Sequence, residues 1–159
     1  MRPAQTTTNA CLRGFSLVEL AFVMMVIGIM TAVALPRYSN ALARYRADAT
    51  ARRIVADLNL ARAQAKSTSA PQSVVFDLTN NNYQLPGVTT LDRRSTNYLV
   101  NLSGEPYYST LSSVNFNSTT QVTFNIFGEA DNSGTIVITA GDATKTITFD
   151  ATNFSATIQ

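Results

Sequence analysis

The 159-residue sequence contains no histidine, no tryptophan and a single cysteine, Cys11. Without histidine, no imidazole can act as general base or metal ligand, and with no cysteine beyond position 11 the rest of the chain cannot form a thiolate-rich zinc site. One cysteine also excludes an intrachain disulfide. Charge is scarce as well: 14% of the residues are charged and 45% are hydrophobic, the balance of a folded chain rather than a disordered one. Serine and threonine are plentiful, but no Gly-x-Ser-x-Gly, Ser/Lys or phosphate-loop motif accompanies them. The expectation is a non-enzyme without cofactor or metal.

What is present in excess is one apolar run. Residues 15–35 carry a single charge, Glu19. At about 1.5 Å per residue these 21 residues make a helix of about 31 Å, enough to cross a hydrocarbon core of about 30 Å. A lone ionised carboxylate in that setting costs about 2.5–3.5 kcal/mol. Glu19 therefore needs a partner, and the run supplies none.

After the run, residues 37–66 read as an amphipathic helix. Ala47, Ala51, Ile54, Leu58, Ala61 and Ala65 recur at spacings of four and three, while Arg46, Arg53, Asp57 and Gln64 are expected to face elsewhere. Asp48 and Arg52 stand i to i+4 in the favourable order for a weak surface ion pair. This stem holds seven basic residues against Asp48 and Asp57, whereas the segment from residue 67 onward holds three against seven acidic ones. A basic stem thus carries an acidic head.

Residues 67–71, Ser-Thr-Ser-Ala-Pro, stop the helix, and the period then changes to two. Residues 73–78 and 83–85 form an expected hairpin around Asn80-Asn81-Asn82, and 98–102 a further strand. Residues 104–113 read as an irregular connection around Pro106. Strands at 121–127, 135–139 and 144–149 are expected to form a meander, with a last short strand at 154–158. A striped helix packed on such strands gives an α+β fold, with an antiparallel β-sheet head. Glu129-Ala130-Asp131-Asn132-Ser133-Gly134 is rich in oxygen but lacks the ligand series of a calcium loop, so it reads as a turn. Arg93 and Arg94 fall in a polar loop.

The N-terminus adds a specific motif. Residues 1–14 are polar, with Arg2 and Arg13 and no acid, and Arg13-Gly14-Phe15-Ser16-Leu17-Val18-Glu19-Leu20 precedes an apolar run ending at Pro36. This arrangement resembles the leader of type IV pilin-like prepilins. An ordinary secretory signal fits less well, because the apolar region exceeds the usual length of about 7–15 residues and contains a glutamate. The resemblance implies cleavage by prepilin peptidase after Gly14, N-methylation of the new terminus at Phe15, an assembly role for Glu19 and a helix bend at Pro36. It makes residues 1–14 the leader, 15–35 the transmembrane half of the helix, 36–66 its periplasmic amphipathic half and 67–159 the head. The new amine at Phe15 would neutralise Glu19 within one chain or between neighbours.

The head narrows the resemblance. Residues 60–65, Val74-Val75-Phe76, Thr123-Phe124, Gly128 and 134–138 are together similar to the GspH/FimT-type minor pseudopilin domain of type II secretion. The tail departs from that pattern in having no arginine. The expected role is a structural subunit of a secretion pseudopilus, a single-pass protein of the bacterial inner membrane with its head in the periplasm. Its partners would be the peptidase, the lipid bilayer and other pseudopilins or pilins. Counting arginines alone would place the head in the cytoplasm; the leader motif points the other way. The alternative is a FimT-like type IV minor pilin acting in pilus assembly or DNA uptake. An acidic head and an arginine-free tail count against DNA as a partner.

Overall fold

The computed structural model describes residues 14–89 and 97–159. The leader before Gly14, with Arg2, Cys11 and Arg13, and the loop arginines Arg93 and Arg94 lie outside the described residues, as does the side chain of Pro36. The chain divides into two compact units, Met1–Tyr38 and Ser39–Gln159.

In the first unit, Gly14, Phe15 and Ser16 precede helix α1, Leu17–Thr68. The described apolar side chains of this unit are exposed, from Val26 at 40% to Leu17 at 85%. This is the one helix among the described residues that is long and apolar enough to cross a membrane. The helix assignment continues through position 36, so the proline does not terminate it.

The second unit contains the rest of α1 and eight strands. All six residues of the expected stripe, Ala47, Ala51, Ile54, Leu58, Ala61 and Ala65, are buried. Four of the six are alanine, which lets the helix backbone approach its neighbours closely. At the C-terminal end, Ser67 Oγ and Thr68 Oγ1 both donate to the Gln64 carbonyl, at 3.1 and 2.8 Å. Ser69 then takes a left-handed φ of 51° and Pro71 prevents resumption of the helix.

The strands are β1 (Gln72–Asp77), β2 (Asn82–Thr89), β3 (Asn97–Asn101), β4 (Thr110–Phe116), β5 (Gln121–Phe124), β6 (Gly134–Ala140), β7 (Ala143–Asp150) and β8 (Ser155–Ile158). They form two four-stranded sheets, β3-β2-β1-β5 and β4-β6-β7-β8, with every pairing antiparallel. Alternation sends Val74, Phe76, Tyr83, Leu85, Val122 and Phe124 of one sheet inward, and Leu111, Phe116, Ile136, Ile138, Ile147 and Phe149 of the other. Four phenylalanines join the sheets: Phe76 stacks on Phe116, and Phe149 meets both Phe116 and Phe124 edge-on, with centroids 6.0–6.2 Å apart.

Four sequence expectations need correction. Residues 110–116 form strand β4, although 104–113 read as irregular. Its register shifts between Leu111 and Ser113, so Leu111 and Val114, three apart, are both buried; the extra residue hides the period of two. Strand β5 pairs with β1 rather than β6, and the expected meander is replaced by β6-β7-β8 with β4 on its other side. The strand expected to reach Phe127 stops at Phe124 because Asn125 Oδ1 accepts from the backbone N–H groups of Phe127 and Glu129, both at 2.9 Å, folding the chain into a turn. Finally, Asp57 does not face outward; it is buried at 4% exposure.

One glycine is fixed by close approach. A Cβ at Gly134 would lie 2.3 Å from Phe116 Cδ1 and 2.4 Å from the Asn115 carbonyl oxygen. Any side chain there would force β4 and β6 apart.

Candidate functional site

The residues singled out by the leader motif all fall in the first unit. Gly14 and Phe15 lie outside the helix and are exposed, Phe15 at 83%. A Cβ on Gly14 would meet nothing within 4 Å among the described residues, so their packing does not require glycine at that position. The helix is then started by its neighbour: Ser16 Oγ accepts the backbone N–H of Glu19 at 3.1 Å, and the Ser16 carbonyl accepts the N–H of Leu20 at 3.1 Å. Ser16 is thus the N-cap and Glu19 the third helical residue, with its acid in the first turn where the helix dipole favours negative charge. The Ser-x-x-Glu signature of a capped start was present in the sequence and unused; read as such, it would have placed the helix start at Leu17.

Glu19 itself is exposed. The structure therefore brings Ser16 and Glu19 together on a helix start, and places Gly14 and Phe15 immediately before it on open backbone.

A second polar constellation lies in the head and centres on buried Asp57. Its Oδ2 accepts from Tyr83 Oη at 2.5 Å and Arg53 Nε at 3.0 Å, and its Oδ1 accepts from Tyr98 Oη at 2.8 Å. Arg53 also donates through Nη2 to Tyr98 Oη. Burial, and then the charge and hydrogen bond of Asp57, push the Tyr83 phenol well above its ordinary pKa; burial and the Asp57 hydrogen bond raise Tyr98 as well. For Arg53, burial works against the charge, but Asp57 outweighs it and the guanidinium pKa is raised. Tyr83 and Tyr98 hold their neutral forms, and Arg53 its charged form, more tightly than in water. The cluster therefore clamps α1 to β2 and β3, with neither the two phenols nor the guanidinium poised to exchange a proton at neutral pH. Sequence reasoning missed it because Asp57 borders the apolar stripe, and only the tyrosines of two distant strands make its burial affordable.

In the β5–β6 loop, Glu129 Oε2 accepts from Asn125 Nδ2 at 2.9 Å and Asp131 Oδ1 from the Thr123 N–H at 3.0 Å. These carboxylates tie the loop together. No group of three or more acidic, histidine or cysteine side chains suited to a metal occurs among the described residues.

A long N-terminal helix with an apolar first half, followed by a stem packed on antiparallel sheets, defines a pilin-like α+β protein. Within that class, the family model described as Type II transport protein GspH matches residues 50–153, and the chain belongs to this family of pseudopilins, which are structural proteins and not enzymes. Among solved structures, the minor pseudopilin EpsH from the Type 2 Secretion System of Vibrio cholerae is similar at 14% identity with a TM-score of 0.52, over 72% of this chain and 96% of that one. The type IV minor pilin FimU of Pseudomonas aeruginosa is similar at 17% identity and a TM-score of 0.50, over 73% of this chain and 88% of that one. At these identities both show a shared fold. No curated protein matches the chain.

Proposed function

We propose that this GspH-family chain is a prepilin that prepilin peptidase cuts between Gly14 and Phe15, and that the mature protein is a minor structural subunit of a type II secretion pseudopilus. One observation carries the reading: an exposed, non-helical Gly14-Phe15 junction stands directly before a capped helix whose apolar surface is uncovered and whose early charge is Glu19 alone. A glycine that meets nothing among the described residues fits a requirement imposed from outside, such as a narrow peptidase subsite. Cutting after it releases a cationic amine four residues from Glu19, which neutralises a carboxylate otherwise costly in lipid. N-methylation of Phe15 keeps that charge. Residues 15–35 then serve as a single-pass inner-membrane anchor and as packing surface among neighbouring pseudopilins, with the head in the periplasm and a bend at Pro36 absorbing the lost backbone donor.

The test is the mature N-terminus. Produced with and without prepilin peptidase, the full chain should lose residues 1–14 only when the enzyme is present and begin with N-methylated Phe15 by mass spectrometry. Glu19→Ala should still be cut but should enter assembled pseudopili at least about tenfold less, because it leaves the buried Phe15 amine without its counter-charge. A mature terminus near Leu35, or unimpaired assembly of Glu19→Ala, contradicts the reading.

A further inference from the structure

The apolar surface of the first unit is bounded at its far end by Arg37 and Tyr38. Arg37 stands 20 residues past Leu17, about 30 Å along the helix axis, which is the thickness of a hydrocarbon core. A helix whose apolar run fills that core therefore holds residues 37 and 38 at the level of the lipid phosphates. Both side chains are exposed, Tyr38 at 71%. Neither has a hydrogen-bond, ion-pair or ring partner among the described residues. Four arginines of the stem are different: Arg52 is paired with Asp48 and Arg53 with Asp57, while Arg46 and Arg62 lie over the rings of Tyr108 and Phe154.

A groove adjoins the two side chains. Met30, Thr31, Ala34 and Tyr38 line a hollow of about 290 Å³ on one face of α1. Thr31 and Ala34 are short and form its floor, and the longer Met30 and Tyr38 stand at its ends, about 12 Å apart along the axis. The Thr31 hydroxyl donates to the Ile27 carbonyl at 2.7 Å, so it adds no free donor to that floor. Arg37 follows Ala34 by three positions and Met30 by seven, and so rises from the same side of the helix. An apolar slot with a guanidinium and a phenol at its mouth matches one phospholipid, with an acyl chain in the slot and phosphate oxygens accepting from Arg37 and Tyr38.

Charge selects the headgroup. Between residues 14 and 38 the charged side chains are Glu19 and Arg37, and 18 residues of helix hold them about 27 Å apart, at opposite margins of the core. The next acid in the sequence, Asp48, is taken by Arg52, and Asp142 borders a crevice with Arg44. A zwitterionic lipid brings its own ammonium to its phosphate, whereas an anionic lipid with an uncharged headgroup leaves that charge for Arg37. A second copy anchored at the same depth would present another Arg37 and no acid, which disfavours self-pairing as the source of the counter-charge.

We infer that Arg37, Tyr38 and the groove from Met30 to Tyr38 hold one anionic phospholipid of the bilayer, its phosphate on the guanidinium and phenol and one acyl chain in the groove. This rests on the membrane-anchor reading proposed above. The bound lipid fixes the depth at which the helix sits.

The chain has no tryptophan, so Val33→Trp places a single reporter beside the groove and leaves its lining intact. The full chain carrying it is reconstituted in phosphatidylcholine vesicles doped with chain-brominated phosphatidylglycerol or, separately, chain-brominated phosphatidylcholine. Quenching should show phosphatidylglycerol favoured about fivefold at the site, the preference expected of one cation at an anionic lipid surface. Adding Arg37→Gln should bring the ratio to about one, and adding Tyr38→Phe, which removes one donor, should lower it about twofold. Adding Arg52→Gln, which removes an equal charge from the stem, should leave it at about fivefold. A ratio near one in the reporter protein, or a ratio that Arg37→Gln does not lower, overturns the inference and leaves the anchor standing. An equal fall with Arg52→Gln also overturns it, because the preference then belongs to the general charge of the stem. Absence of quenching by either lipid means that the run does not enter the bilayer, and overturns the anchor reading as well.

Discussion

Helix α1 carries two apolar surfaces with opposite fates. Leu17, Phe22, Met25 and Ile29 are exposed in the first unit, while Ala51, Ile54, Leu58 and Ala61 are buried in the second. The residue sizes differ in the same sense: bulky side chains where they stand exposed, alanines where sheets press close. Large apolar side chains left open suit lipid or neighbouring helices, which adapt to them, whereas the alanine stripe matches one fixed surface. One helix thus serves two environments, and residue volume tells them apart as well as hydropathy does.

The largest expected effect that would sharpen this contrast is partition. The full chain should fractionate entirely with membranes, and a chain starting at Ser39 should be soluble and folded; a soluble full chain would break the comparison. Next, Phe124→Ala should destabilise the head by about 3–5 kcal/mol in denaturant melts, because it empties a site in the phenylalanine chain between the sheets. Phe22→Ala should leave the same melt unchanged. Equal effects would mean that the first unit is packed against protein after all.

A smaller effect probes the clamp. Asp57→Ala leaves the buried Tyr83 hydroxyl without its acceptor and should cost about 1–3 kcal/mol by the same melts. The smallest is a pH dependence. The Tyr83 phenol is raised in the folded chain, so its contribution is whole below the unfolded value of about 10 and is lost as pH climbs beyond it. Wild-type stability should therefore fall more steeply than that of Tyr83→Phe above about pH 10, by at most about 1.4 kcal/mol per pH unit. Parallel slopes would remove Tyr83 from the clamp.

How much of this was legible depended on whether a signal was periodic or distributed. The stem stripe was readable to the residue because six apolar positions share one helical period. The hairpin β1–β2 was readable because Asp77 and three asparagines announce the turn, and Asp77 Oδ1 indeed accepts the N–H groups of Thr79 and Asn80. Strand β4 was hidden by its bulge. The pairing of β5 with β1 was hidden because neighbours in sequence are not neighbours in the sheet. Glu19 stood out as an isolated charge in an apolar run, but the cap that Ser16 places on it is a local motif that the apolar length overshadowed. The burial of Asp57 depends on three side chains at separations of 4, 26 and 41 residues, and no short window contains them.

The interleaving of strands between the sheets has a consequence for how the head is made. The first sheet lacks its fourth strand until residues 121–124 arrive, and the second begins with β4 yet has no partner for it until β6 is formed. A chain delivered N-terminus first must therefore hold β1 open along one side across some 40 residues of later sequence, then close both sheets nearly together. Folding of the head is gated by the last third of the chain, and a stalled or clipped chain leaves neither sheet finished.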